Sequence, residues 1–119
     1  MLAYPPMKRL ILIPAALLAF AARAGAPPAP HAFHVSLEPG MTHEECVHID
    51  RGDKRSYYWR ADAPVDFNVH YHRGDRPIYP LKRDGMRGDG GTFVAKVAQE
   101  YCWMWTARDR PVKLEGGIR

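Results

Sequence analysis

His70 and His72 stand two apart in a run where Val65, Phe67, Val69 and Tyr71 alternate with Asp66, Asn68, His70 and His72. Side chains on an extended strand alternate between faces, so the two imidazoles share one face, about 6–7 Å apart along the chain. Such a pair offers two nitrogen donors, a start for copper or zinc. His48 falls on the polar side of its own strand, and Met104 shares a face with Cys102. If these strands are neighbours, His48, His70, His72 and Met104 form a mixed nitrogen and sulfur donor set. The plainer reading leaves the histidines as solvated positions on a polar face. His31, His34, Met41 and His43 make a second, looser group: either a copper-capturing segment or an ordinary polar first strand and turn.

The two cysteines, Cys46 and Cys102, bear on the same question. Met7-Lys8-Arg9, the apolar stretch Leu10 to Phe20 and Ala22-Arg23-Ala24 have the order of a signal peptide: a positive start, an apolar centre too short for a comfortable membrane span, and a small-x-small cleavage site. Residues 1–24 therefore read as a leader, 25–30 as a Pro-rich spacer and 31–119 as the folding domain. Export places the chain in the periplasm or outside the cell, and an even cysteine pair there reads as one disulfide. In the chain-entropy picture a crosslink of that span is worth about 4 kcal/mol. No apolar run of membrane length follows the leader. Lys8, Arg9 and Arg23 belong to the leader while all 13 acidic residues follow it, so the net charge of +4 mostly reflects targeting and gives no support to nucleic-acid binding.

Catalysis finds little support. Ser36 and Ser56 are the only serines and neither lies in a nucleophile elbow. A disulfide removes any thiolate nucleophile. Asp62 and Asp66 flank Pro64 and read as turn caps rather than an acid and base pair. Arg-Gly-Asp occurs at 51–53, 73–75 and 87–89, each where the alternation stops, and reads as three turns because Gly and Asp suit tight backbone.

The elements that must carry these residues are strands. Period-two alternation marks Phe33–Leu37, Val47–Ile49, Tyr57–Arg60, Val65–Tyr71, Ile78–Leu81, Thr92–Val97, Tyr101–Thr106 and Pro111–Leu114, with a break at Ala63-Pro64 and a Gly/Asp turn region over 84–91. Pro80 makes its segment an edge or irregular strand. Short strands with turn signals at this spacing predict an all-β fold, a small β-sandwich of seven to eight mostly antiparallel strands with one disulfide; a closed barrel is the alternative. Val47 and Ile49 set the apolar side of their strand as odd-numbered, so Cys46 and His48 face the other way. If the disulfide lies on that outer face, Tyr101, Trp103 and Trp105 point inward as core. If it is internal, they become an exposed platform. Tyr57 and Trp59 share one face of their strand and Tyr58 the other, so one set stays accessible.

The ordered segments Pro64 to His72, Gly74-Asp75, Ile78-Tyr79-Pro80, Gly91-Thr92-Phe93, Tyr101 to Trp105 and Arg110-Pro111-Val112 resemble the GOLD domain, the β-sandwich of emp24/p24 cargo-receptor proteins. The resemblance implies a noncatalytic interaction module. Only Cys46 and Cys102 match a family feature, its structural disulfide, and no binding residues carry over. The reading is an exported, noncatalytic module that recognises a protein or small ligand, with Tyr58, Arg73 and Arg76 as contact candidates and no cofactor. The second reading is a periplasmic copper- or zinc-binding protein.

Overall fold

The computed structural model describes Leu2, Ala3, Pro6 and residues 31–119. The leader and spacer expectations lie outside the described residues. Six strands follow in order: β1 (His31–Leu37), β2 (Thr42–Ile49), β3 (Lys54–Arg73), β4 (Arg76–Val94), β5 (Gln99–Ala107) and β6 (Val112–Ile118). All pair antiparallel in one sheet of order β1-β6-β3-β5-β2, with β4 on the remaining edge of β3. No helix among the described residues is long and apolar enough to cross a membrane.

The sheet curls because β3 changes partner along its length. Tyr57–Ala61 pair with β6, and Val65–His70 pair with β5 on the same edge. Between them lie Ala63-Pro64, and the register against β4 shifts between Arg60 and Val65. Proline cannot donate to a ladder and is accommodated at such an irregularity. Two halves result, sharing the bent β3–β4 ribbon. One is β1-β6-β3-β4 and the other is β2-β5-β3-β4. The product is a half-barrel rather than the sandwich expected from sequence.

The expected seven or eight strands are six, since two predicted breaks are not breaks. Ala63-Pro64 bends one continuous β3. The 84–91 segment, expected as a turn, is paired strand: Gly88, Gly90 and Gly91 stand opposite Arg60, Tyr58 and Tyr57. Gly85 takes φ 67 near the bulge. The Arg-Gly-Asp at 87–89 therefore lies in β4, whereas those at 51–53 and 73–75 are turns, as expected. Pro80 does sit in an edge strand, because β4 pairs only with β3 among the described strands.

The inner face is aromatic. Trp103, Trp105, Tyr101, Phe67, Ile49 and Leu114 are almost completely buried. Trp105 meets Phe33 at 4.6 Å and Phe67 at 5.6 Å between ring centroids, and Trp59 meets Phe67 at 5.1 Å. Each fully buried large side chain contributes about 1.5–3 kcal/mol. The indole Nε1 groups of Trp59, Trp103 and Trp105 are buried without a hydrogen-bond partner, so some of that gain is returned as unmet polar burial.

Candidate functional site

Cys46 and Cys102 stand directly across β2 and β5 and are joined in a disulfide, with Cα atoms 4.1 Å apart. The pair lies on the outer face while Tyr101, Trp103 and Trp105 fill the interior. Of the two arrangements the alternation allows, the structure has the aromatic stripe as core.

The strand order β2-β5-β3-β4 then assembles one outer face from four strands. His70 is paired with Cys102, and Asn68 with Met104, which itself faces Glu44 on β2. His70 is only 4% exposed, in contrast to the solvated position expected of it, whereas His72 is exposed. Nδ1 of His70 lies 2.7 Å from Oδ1 of Asn68, and Nε2 lies 3.2 Å from Oε1 of Glu44. The rings of His72 and Tyr79 close in at 5.2 and 5.7 Å between centroids. Burial pushes the His70 pKa below its ordinary value; the Glu44 carboxylate opposes this and His72 adds to it. His48 is exposed and faces Asp50 at 3.0 Å.

Two groups of potential metal donors occur among the described residues: Glu44, His70 and Cys102, and Cys46, Glu100 and Cys102. Neither includes His48 or His72. In both groups the sulfurs are held in the disulfide, so they are not thiolates as they stand.

The looser histidine group has a different arrangement from a shared metal pocket. His31 and His43 both face Glu45, at 3.7 and 3.0 Å, across the seam where β1 approaches β2. His43 also packs on Phe33 at 5.1 Å. Glu45 escaped the sequence reading, although its odd number already placed it on the inward side with Val47 and Ile49. Asp62 accepts from the Lys113 amide at 2.8 Å, and Asp66 from the Gly85 amide at 3.0 Å, which suits backbone capping. Asp89 takes Nη1 of Arg83 at 3.0 Å and stands near the Tyr57 hydroxyl; burial, and then this carboxylate, push the Tyr57 phenol up.

The other half carries a different surface. Tyr58 is 59% exposed and is flanked by Gly117 on β6 and Gly90 on β4. A Cβ at Gly117 would lie 3.1 Å from the Tyr58 ring, so the ring lies over bare backbone. Arg73 and Arg76 face each other at the far tip of the β3–β4 ribbon and do not join Tyr58 in one patch. A cleft of about 340 Å³ opens beside β4, lined by Tyr71, Ile78, Phe93, Val97 and Tyr101.

The geometry defines a small all-β, disulfide-linked half-barrel with two contrasting outer faces. No family model and no curated protein matches the chain. Among solved structures, a de novo designed double-stranded β-helix is similar at 17% identity, covering 75% of this chain and 99% of that one, with a TM-score of 0.43. The crystal structure of PliG from Aeromonas hydrophila, a periplasmic lysozyme inhibitor of g-type lysozyme, is similar at 14% identity. It covers 76% of this chain and 86% of that one, with a TM-score of 0.50. At that identity the likeness to PliG is one of fold.

Proposed function

We propose that this chain is an exported, noncatalytic binding module that recognises a protein through the outer face of the β1-β6-β3-β4 half. Tyr58 carries the reading. A large aromatic ring left 59% exposed on a glycine-paved strip offers flat apolar area with a polar tip, the kind of anchor that dominates protein interfaces. A formed disulfide fits an oxidising compartment, as does the signal-like leader. The resemblance to GOLD domains points to recognition without catalysis. PliG, which shares the fold, is a periplasmic inhibitor of a lysozyme, and a g-type lysozyme is therefore the first partner to try.

The test is titration calorimetry and a cell-wall lysis assay with purified g-type lysozyme. A stoichiometric complex that slows lysis, weakened about tenfold or more by Tyr58→Ala, is the expected result. Unchanged lysis with no heat of binding removes lysozyme as the partner. A complex indifferent to Tyr58→Ala removes this face.

A second reading, a small apolar ligand, is favoured by the cleft beside β4, whose volume is of ligand size. Displacement of a bound hydrophobic dye, abolished by Phe93→Ala but not by Tyr58→Ala, separates the two readings.

A further inference from the structure

His70 is oriented in a way that burial alone does not explain. Its Nδ1 faces Asn68 Oδ1 at 2.7 Å. An amide oxygen only accepts, so Nδ1 carries the hydrogen and Nε2 of the neutral ring presents a lone pair. The atom 3.2 Å from that lone pair is Glu44 Oε1, another acceptor. An imidazole fixed by an outer amide, with its free nitrogen and a carboxylate aimed at one point, is how proteins hold a metal ligand.

The remaining donors are already in place. Cys102 Sγ lies within 4.8 Å of the Glu44 and His70 donor atoms, and Cys46 Sγ is bonded to it. We propose that reduction of the Cys46–Cys102 disulfide turns this face into a zinc site held by His70 Nε2, the two thiolates and the Glu44 carboxylate. Two thiolates, one imidazole and one carboxylate complete a tetrahedral set for a borderline-soft ion. The balance is simple. A dithiol gives the protein disulfide two electrons and two protons and leaves as its own disulfide. Zinc then displaces the two thiol protons, which pass to solvent. Glu100, beside the sulfurs on β5, is the nearest alternative carboxylate. The site is independent of the Tyr58 face, which lies on the other half of the sheet.

Cobalt(II) reports on the site, since thiolate ligation gives a charge-transfer band in the near ultraviolet. The protein is reduced with a water-soluble phosphine, which is itself oxidised to the phosphine oxide with water as oxygen donor. Expected are a band saturating at one equivalent of cobalt, its loss on adding zinc, and no band for the disulfide form. His70→Ala weakens the affinity about tenfold or more, and Asn68→Ala, which loosens the ring, also lowers it. If reduction alone unfolds the chain, one equivalent of zinc restores the strand signal in circular dichroism, because metal binding is then coupled to folding. The proposal falls if the reduced chain takes up no cobalt, if zinc fails to restore an unfolded reduced chain, or if His70→Ala binds as tightly as the parent.

Discussion

The two halves of the sheet share an inner face and differ on the outer one. Inside, both present aromatic and aliphatic side chains that meet at the bend of β3, where Trp59 and Phe67 touch across the two pairing segments. Outside, the half built on β6 is paved with Gly117, Gly88 and Gly90 around a single exposed tyrosine. The half built on β5 is crowded with a disulfide, a buried histidine, carboxylates and a second histidine. The inner face is what makes the chain fold. The outer faces are free to differ, and their chemistry separates a surface for contact from a surface for coordination.

The comparison breaks most readily at the shared interior. Trp105 sits on β5 yet touches Phe33 of β1, and Trp59 and Phe67 on the two parts of β3. Trp105→Ala is expected to cost about 3–5 kcal/mol in denaturant unfolding, through lost burial and a cavity both halves must share. Tyr58→Ala on the outer face should stay within about 0.5 kcal/mol. A small loss for Trp105→Ala would mean that the halves are stabilised separately.

A smaller effect separates two roles of glycine, one inside a strand at Gly116 and one in a turn at Gly52. At Gly116 a Cβ would come within 2.7 Å of Phe33 Cζ and 2.8 Å of Trp59 Cβ on the inner face, and 2.5 Å of the Tyr58 carbonyl oxygen. Gly116→Ala should therefore cost about 1–3 kcal/mol by overpacking. Gly52, in the turn before β3, has φ +85 and open space around it. There alanine meets only the left-handed backbone penalty, about 1–2 kcal/mol. Thermal midpoints of the two variants, with and without Phe33→Leu to make room, separate the causes: Phe33→Leu should relieve only the part of the Gly116→Ala cost that comes from the Phe33 ring, since the Tyr58 carbonyl and Trp59 contacts remain, and should leave Gly52→Ala unchanged.

Where the alternation of side chains carries the information, the sequence reads well. Period two puts Tyr101, Trp103 and Trp105 on the face opposite Cys102, leaving only the choice of which face is inner, and the structure has the aromatic stripe inside. Where glycine or proline stands in a strand, the signal vanishes. Pro64 and the 84–91 run look like breaks, and Gly116-Gly117 hides the end of β6, since a residue without a side chain has no parity to read. The same gap concealed the glycine paving beneath Tyr58. At the disulfide face, His70 and His72 were visible as a pair, but the approach of Glu44 to His70 depends on β5 lying between β2 and β3. That order is a property of the long-range pairing, and nothing local to either segment encodes it.

The subtlest prediction asks whether the crowded half holds its buried histidine neutral. With the folded pKa of His70 below the ordinary 6.5, the unfolded chain binds a proton more readily than the folded one between the two values. The stabilisation is complete above 6.5 and is lost as the pH falls through that window toward the folded value. Many groups contribute to the overall pH dependence of stability, so the informative quantity is a difference. Unfolding free energies of the oxidised, chelator-treated protein and of His70→Gln, measured from pH 7.5 downward in urea, should diverge least at the acid end. The parent loses its advantage as the buried ring is forced to charge. An advantage that grows on acidification would mean that Glu44 holds His70 as an imidazolium, with a proton occupying the point at which Nε2 and the carboxylate are aimed.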